Sequence, residues 1–331
     1  MIADVVLGLQ YGDEAKGKVT HYLCKYKDYT HVLRFNGGCN AGHTIYHEGK
    51  KFVTHHIPAG VFYGIKSIIG PGCVVSPAQF FKELGELQSN GIETEGKIFI
   101  SKNAHVITES HIQEELSEIK IGTTKRGNGP AYRDKYARTG LQAKDIPALA
   151  PYMIDVYDEF HSPRSATPKI LCEGAQGFNL DIDWGDYPYV TSSHCGVGSL
   201  VLNGVPHTWI RDTWGVAKIY ETYVGTKEFE PQTEDNFFES VRQQGEEYGA
   251  TTGRPRQCSW LDLDFLKRAL KMNSVNKVIF NKMDVLRALD RWQLVNNGEL
   301  VTFGTEKEIE SFISRALPDM EIYYSDDKHK I

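Results

Sequence analysis

Short runs of β-branched and aromatic residues alternate with segments of helical period along most of this 331-residue chain. Parallel strands need a long crossover between them, so this alternation is typical of a mainly parallel sheet with helices on both faces. The two clearest helices follow Ser76, with Pro77 at the first helical position, and Ser259, which is the expected cap. The sequence therefore predicts an α/β fold with a mainly parallel central sheet flanked by helices, and its strand-forming runs are DVVLGL, THVLRF, KSIIG, GKIFI, PKILCEG, WGVAKIY and NKVIFN.

No tandem repeat, low-complexity tract or Pro/Ser-rich linker marks a domain boundary, and we therefore expect a single domain over residues 1–331. Glycine is concentrated in polar clusters instead. Such loops bring backbone N–H groups close to an anion, and loops that follow parallel strands meet at the carboxyl edge of the sheet. The sequence thus predicts an anion-binding site built from many loops, among them FNGGCNAGHT, IGTTKRGNGPAY, CEGAQG, SHCGVGSL and YGATTGRPR.

The charge balance argues against nucleic-acid and membrane partners. Lys and Arg number 37 against 43 Asp and Glu, which leaves a net charge of −6 and no general positive field. No apolar stretch approaches the ~18 residues of a membrane span, and the first residues lack a basic segment and a cleavage site, so we expect a cytoplasmic protein.

The six cysteines show no C-x-x-C spacing, which predicts reduced thiols rather than a disulfide framework or a zinc site.

The segment GDEAKGKV, from Gly12 to Val19, nearly fits the phosphate-binding pattern G-x-x-x-x-G-K-[ST]. Val19 replaces the hydroxyl that usually binds magnesium, and Asp13 adds a negative charge beside the expected phosphates. A carboxylate beside the phosphates is explained if it binds Mg²⁺ or accepts a proton during the reaction. An ordinary turn between a strand and a helix remains the alternative interpretation.

The segment NKMD, residues 281–284, directly follows the apolar run VIF. A carboxylate at Asp284 can accept from the ring N–H and the exocyclic amine of guanine together, while the stem of Lys282 lies against the base. Adenine offers no such pair of donors. The motif therefore favours a guanine nucleotide, although a polar turn after a strand would also fit four residues.

The segment NGGCNAGHT places Asn40 and His43 on a glycine-rich loop after the run HVLRF. Three glycines around a histidine suit a side chain that is directed at a ligand. A histidine in such a segment is more often only part of the core or surface, so this segment alone does not decide its role.

The segment GATTGRPR presents Thr251, Thr252, Arg254 and Arg256 within six residues. Arginine pairs with carboxylates in a bidentate and directional way, so two guanidiniums at this spacing suit a small dicarboxylate. The alternative is a solvated basic loop.

Together and in this order, these motifs resemble the adenylosuccinate synthetase family, whose members join IMP and aspartate at the expense of GTP. The resemblance covers residues 1 to about 286. It implies a ligase with a P-loop-NTPase-like nucleotide site. The matching segments are QYGDEAKGK, NGGCNAGHT, IGTTKRGNGPAY with YAR, EGAQGFNLDID with YPYVTSS, YGATTGRPR and NKMDVL.

The resemblance implies a role for each catalytic residue. Asp13 would remove the ring proton of IMP and bind Mg²⁺ together with the Gly42 carbonyl, so that the 6-oxo oxygen attacks the γ-phosphate of GTP. Lys16 would offset charge in the transition state and His43 would bind the transferring phosphoryl group. Gln176 would polarise the reacting oxygen, and aspartate would then displace phosphate from ring carbon 6.

The resemblance also implies three sets of binding residues and a homodimer in which Arg138 reaches into the partner's site. The set for GTP is Gly12, Glu14, Ala15, Gly17, Lys18, Lys282, Asp284 and Ser325. The set for IMP is Asn40, Thr124, Arg138, Gln176, Thr191, Val224 and Gly225. The set for aspartate is Thr251, Thr252, Arg254 and Arg256.

Some positions depart from the family pattern. Ala15 stands where glycine is usual, which requires a negative φ at that residue. Tyr223 and Lys227 replace an arginine and a proline near the expected ribose site, and Pro255 replaces a third arginine. The altered ribose region keeps one alternative open, a related synthetase that uses GMP or dGMP to make 2-aminoadenylosuccinate. A second alternative, based on the NKMD segment alone, is a GTP-binding protein without catalysis.

Overall fold

A computed structural model describes residues 1–118, 121–162, 167–249, 253–327 and 331. The strands within these ranges are β1 (Ile2–Gly8), β2 (His31–Arg34), β3 (His43–His47), β4 (Lys50–Thr54), β5 (Lys66–Ile69), β6 (Val74–Val75), β7 (Ile98–Ser101), β8 (His105–Val106), β9 (Met153–Ile154), β10 (Lys169–Glu173), β11 (Ile210–Lys218), β12 (Tyr220–Tyr223), β13 (Gln257–Asp262), β14 (Lys277–Asn281), β15 (Trp292–Asn296), β16 (Glu299–Phe303) and β17 (Glu321–Ser325).

The helices in the same ranges are mostly short and amphipathic. They are α1 (Lys16–Tyr26), α2 (Pro77–Ser89), α3 (Glu109–Leu116), α4 (Asn128–Ala137), α5 (Val156–His161), α6 (Ser199–Leu202), α7 (Phe237–Gln244), α8 (Leu263–Met272), α9 (Met283–Leu289) and α10 (Glu306–Ala316). Short 3₁₀ helices cover Ala59–Tyr63, Ala143–Asp145, Pro147–Tyr152, Phe178–Leu180 and His207–Trp209.

A sheet of nine strands in the order β17-β14-β11-β1-β10-β2-β5-β7-β9 forms the centre of the fold. Every adjacent pair in it is parallel. This confirms the α/β fold with a mainly parallel sheet. The seven predicted runs form all strands of this sheet except its two edge strands, β9 and β17. The edge strands β9 and β17 carry exposed or half-exposed residues and are not evident from the hydrophobic pattern.

Two helix starts test the capping predictions. Ser76 accepts a hydrogen bond from the Gln79 amide at the start of α2, with Pro77 as the first helical residue, as predicted. The prediction of Ser259 as a cap is wrong, because this residue pairs with Glu221 inside β13. Asp262 caps α8 instead, since its carboxylate accepts from two backbone amides of the first turn.

A smaller sheet in the order β12-β13-β15-β16 lies beside the central one. Its strand β12 follows β11 after a single residue, and its inner face packs with α8, α9 and α10 in one hydrophobic cluster that includes Tyr220, Trp260 and Leu294. This position is functionally relevant because the end of β12 forms one wall of the cavity described below.

The six cysteines are buried and unpaired, as the sequence predicted. No helix in the described ranges has the length and apolar character needed to cross a bilayer.

Candidate active site

A cavity of about 820 Å³ opens at the carboxyl edge of the central sheet. Parallel strands direct all of the loops that follow them to this edge, so motifs that are distant in the sequence meet here. Glu14 and Arg138 are absent from its lining, and Thr251 and Thr252 lie outside the described residues. The predicted residues that line it are Gly12, Asp13, Ala15, Lys16, Gly17, Lys18, Asn40, Gly42, His43, Thr124, Gln176, Thr191, Val224, Gly225, Arg254, Arg256, Lys282, Asp284 and Ser325.

The loop between β1 and α1 is shaped by the side chain of Glu14. This carboxylate is fully buried and accepts from the backbone amides of Gln10 and Gly12 at 3.0 and 2.9 Å. It also pairs with Lys16 at 2.6 Å. The carboxylate of Glu14 therefore stabilises the conformation of the loop through buried contacts. The carboxylate of Asp13, in contrast, is 31% exposed and points at the cavity wall.

Ala15 has a φ of 71° and a ψ of 35°, in the left-handed region. The expectation that this residue keeps a negative φ is therefore wrong. Gly12 and Asp13, with φ of 86° and 61°, are left-handed as well, so the chain turns tightly into α1, whose first residues line the cavity.

His43 is held by a buried acid that the sequence analysis did not single out. Its Nδ1 donates to Glu173, the last residue of β10, and its Nε2 is buried without a protein partner among the described residues. Burial lowers the pKa of His43 to about 4, and the neighbouring Arg34 adds to this effect. Although burial opposes it, the charge of Arg34 and the hydrogen bond from His43 bring the pKa of Glu173 to about 2.

Asp13 and Arg256 form an ion pair across the cavity, with 2.8 Å between Asp13 Oδ2 and Arg256 Nε. The same guanidinium reaches the fully buried Glu247 at 2.5 Å. Arg256 is thus placed between one cavity-facing carboxylate and one buried carboxylate.

The end of the cavity near α9 collects the residues predicted for guanine. Lys18 Nζ donates to Ser325 Oγ at 2.7 Å, and Lys282 Nζ donates to the Gly245 carbonyl at 2.6 Å. Burial lowers the pKa of Lys18 to about 8. Because β14 and β17 are parallel neighbours, Asn281 and Ser325 lie in register at the same edge.

The opposite end of the cavity collects residues predicted for IMP. Asn40 Oδ1 accepts from the amide group of Asn128 at 2.5 Å, and Asn40 Nδ2 donates to Thr191 Oγ1 at 3.4 Å. Gln176 has a φ of 57°, and its Oε1 is buried with no protein partner in the described part of the chain. Arg138, in contrast, is exposed at the end of α4 and lies away from this cavity.

Arg254 and the end of β12 complete the wall. Both terminal nitrogens of Arg254 donate to the Gly122 carbonyl, at 3.3 and 3.2 Å. Lys227 lies over the rings of Tyr11 and Tyr223, 4.9 and 5.5 Å from their centroids. These aromatic contacts fix the segment that carries Val224 and Gly225.

The sequence analysis missed several buried charged residues, and those that support the groups of the cavity described above are Arg34, Glu173, Lys218 and Glu247. A signal for three of them was available, because Arg34, Glu173 and Lys218 interrupt or end apolar strand runs. A charge in a central strand requires a buried partner, and such partners gather at functional edges.

The family model described as adenylosuccinate synthetase matches residues 5–148 and 146–321. The chain belongs to the adenylosuccinate synthetase family. It is therefore a ligase of purine nucleotide synthesis, and the predicted family is confirmed by these matches together with the relatives below.

Relatives in the adenylosuccinate synthetase family cover most of the chain. An adenylosuccinate synthetase of Xanthomonas campestris pv. campestris is 39% identical over 338 residues, which span 87% of this chain and 78% of the relative. The structure of fully ligated adenylosuccinate synthetase from Plasmodium falciparum is 32% identical, with a TM-score of 0.80, and the match covers 93% of this chain and 85% of that one.

A more distant structural relative is the succinoaminodeoxyadenylate synthetase of cyanophage S-2L, solved with dGMP and dATP. It is 22% identical with a TM-score of 0.71, and the match covers 95% of this chain and 99% of that chain. At this identity the likeness shows the shared fold alone.

Proposed function

We propose that this protein joins IMP and L-aspartate to form adenylosuccinate, with GTP as the energy source. The observation that carries the proposal is that one cavity holds the phosphate loop, the guanine motif at Asp284 and the arginine motif at Arg254 and Arg256. A guanine nucleotide and a dicarboxylate are the ligands that these groups suit. Such a set has no use in a GTP-binding protein without catalysis.

In the first step Asp13 takes the ring proton of IMP, and the 6-oxo oxygen attacks the γ-phosphate to give 6-phosphoryl-IMP and GDP. Asp13 is suited to this because it is partly exposed to the cavity while Arg256 fixes one of its oxygens. Gln176 lines the same cavity, and its Nε2 group is the donor that would contact the oxygen that reacts.

His43 and Lys16 stabilise the phosphoryl group during transfer. The orphan Nε2 of His43 is the ring atom available to the phosphoryl oxygens, and a dianion at that position would favour the protonated ring that Glu173 supports. Lys16 adds a cation that is already ordered by Glu14. Preordered charge of this kind costs little reorganisation in the transition state.

In the second step the amine of aspartate attacks ring carbon 6 and inorganic phosphate leaves. Arg254 and Arg256 would hold the carboxylates of aspartate, and Thr251 and Thr252 are expected to assist them. The 5′-phosphate of IMP would bind Asn40, Thr124 and Thr191, and the ribose would lie along Val224 and Gly225.

The residues present fit Mg²⁺. Mg²⁺ is usually bound through one or two protein oxygens together with substrate phosphates and water, and Asp13 and Gly42 offer a carboxylate and a carbonyl in one cavity. The described residues contain no group of three or more His, Cys, Asp or Glu that could hold a metal by themselves, which agrees with this mode. When bound, the ion neutralises phosphate charge.

The remaining parts of the proposal concern assembly. We propose a single domain over residues 1–331 and a cytoplasmic homodimer in which Arg138 binds the IMP phosphate in the partner's site. The exposed position of Arg138, outside its own cavity, supports this arrangement.

The test is phosphate release by the purified protein with Mg²⁺ and aspartate, with IMP or dGMP as acceptor and GTP or ATP as donor. Turnover that requires IMP, GTP and aspartate together is the expected result. A preference for dGMP would replace the proposal by the 2-aminoadenylosuccinate reaction, and the absence of turnover with every pair would leave only nucleotide binding.

A further inference from the structure

Glu247 is a fully buried carboxylate that lies behind the cavity and has three side-chain donors. Its Oε2 accepts from Lys218 Nζ at 2.9 Å and from Arg256 Nη1 at 2.5 Å. Its Oε1 accepts from the Tyr220 hydroxyl at 2.6 Å. A carboxylate with this many partners has one fixed position, and it fixes the position of the groups that donate to it.

These contacts continue into the loop that carries Asp13. Arg256 Nε donates to Asp13 at 2.8 Å. On the other side, Gln10 accepts from the Lys218 amide at 2.9 Å and donates to the carbonyls of Lys218 and Tyr220 at 3.1 Å. Because Gln10 and Asp13 belong to one loop, the chain of hydrogen bonds closes into a ring, which we call the Glu247 ring: Gln10, Asp13, Lys218, Tyr220, Glu247 and Arg256.

The charges in the Glu247 ring balance, with two cations and two carboxylates. Lys218 and Arg256 are 2% and 9% exposed, so each needs a partner to remain charged. Although burial opposes it, Lys218 and Arg256 lower the pKa of Glu247 to about 2, which keeps this carboxylate ionised. Removal of Glu247 would leave Arg256 with Asp13 as its remaining acid partner among the described residues.

The contacts of Arg256 with Asp13 and Glu247 use only some of the N–H donors of its guanidinium. Arginine offers five N–H donors in a planar fork. The described contacts use Nε toward Asp13 and one hydrogen of Nη1 toward Glu247. The rest of the fork remains for the carboxylate of a substrate.

We propose that Glu247 is a positioning residue that holds Arg256 so that one edge of the guanidinium orients Asp13 and the remaining N–H groups bind the carboxylate of the amino-acid substrate. The proposal deepens the proposed function and rests on it for the identity of that substrate. Its consequence is that the amino-acid site and the Asp13 carboxylate share one rigid cation. Loss of Glu247 should therefore affect aspartate binding and proton removal but not the guanine end of the cavity.

The kinetic test compares Glu247→Gln with the exposed control Glu234→Gln. We expect Glu247→Gln to raise the KM for aspartate and lower kcat by about tenfold or more each, while the KM for GTP changes by less than about twofold. The same substitution in an Arg256→Gln background should add little, because Glu247 acts through Arg256. Equal rises in every KM, or effects that simply add in the double variant, would overturn the proposal.

A second measurement does not depend on activity. In a crystal structure of the Glu247→Gln variant the contact between Arg256 and Asp13 should be lost or rearranged, while in Tyr220→Phe, which retains the carboxylate, it should persist. An unchanged contact in Glu247→Gln would overturn the proposal even if the wild-type protein shows no aspartate-dependent phosphate release. The absence of aspartate-dependent phosphate release by the wild-type protein would count against the proposed function alone.

Discussion

His43 donates its Nδ1 proton to Glu173, and this contact leaves its Nε2 as a buried atom at the wall of the cavity without a protein partner in the described ranges. The histidine is therefore oriented by a carboxylate from β10 and is neutral before ligands bind, since its pKa is about 4. A buried acid behind a histidine fixes the tautomer and stabilises the protonated ring when charge develops on the other side.

Glu173→Gln should lower kcat by roughly 10²- to 10⁴-fold, because the amide cannot support a protonated His43. Steady-state kinetics with IMP, GTP and aspartate measure the effect, and thermal unfolding reports the separate cost of leaving Arg34 without its charge partner. Glu159→Gln is the matched control, since Glu159 contacts His31 at 2.8 Å in a pair that does not line the cavity. An unchanged kcat in Glu173→Gln would contradict the role of His43.

Asp284→Asn should remove the preference for guanine. The carboxylate accepts two donors of the base, whereas an amide offers one acceptor and one donor, so kcat/KM for GTP should fall by about 10²-fold or more. Xanthosine triphosphate, whose 2-oxo group matches the new donor, should become the better substrate. The exposed Asp290→Asn serves as the control, and retention of GTP preference in Asp284→Asn would contradict the guanine assignment.

His56 should make the fold sensitive to mild acid. Its Nε2 accepts from the Ser76 amide at 3.1 Å, and burial lowers its pKa to about 3, with further contributions from His55 and Arg34. A depressed pKa means that the unfolded state takes up the proton first, so the stabilisation is complete above pH ~6.5 and declines as the pH falls toward 3.

Between pH 7.5 and 5 this one group should cost the wild-type protein about 2 kcal/mol of unfolding free energy. Denaturant unfolding at both pH values tests this, with His56→Gln expected to show a smaller loss. Equal losses in the two proteins would show that another group is responsible.

Ala15 should be a site of strain that glycine relieves. An alanine in the left-handed region raises the free energy of the folded state by roughly 1–2 kcal/mol, and glycine removes this strain. Glycine also makes the unfolded chain more flexible, which lowers the free energy of unfolding and offsets part of the stabilisation. We therefore expect Ala15→Gly to raise the unfolding free energy by up to about 1 kcal/mol, and the β-branched Ala15→Val to lower it by more than that. If Ala15→Val were as stable as the wild type, the loop would not require a positive φ at this position.

The hydrophobic pattern predicted the inner strands of the central sheet because these strands are buried on both faces. It did not predict β17, whose residues Glu321 to Ser325 are mostly half-exposed at an edge. The residues around the cavity were predictable where a motif has a chemical reason, as at Asp13 and Asp284. Glu173 left a signal as a charge at the end of an apolar strand run, but its partner His43 did not follow from the sequence. Glu247 left no such signal, because its role is defined by contacts with residues of other elements.

The helix starts also show that the sequence does not reveal features that depend on pairing between separate elements. Ser76 was predictable because Pro77 follows it and marks the first turn. Ser259 and Asp262 both precede the same apolar segment, and only the pairing of β13 with β12 shows that the strand continues past Ser259.

The contact between Lys18 and Ser325 joins positions that are 307 residues apart. The guanine end of the cavity is thus assembled from the first loop and the last strand of the sheet. During synthesis on the ribosome, the nascent chain has this part of the site incomplete until Ser325 has emerged from the exit tunnel. Nucleotide binding is therefore unable to guide the early stages of folding, and the central strands must associate on the strength of their own apolar contacts.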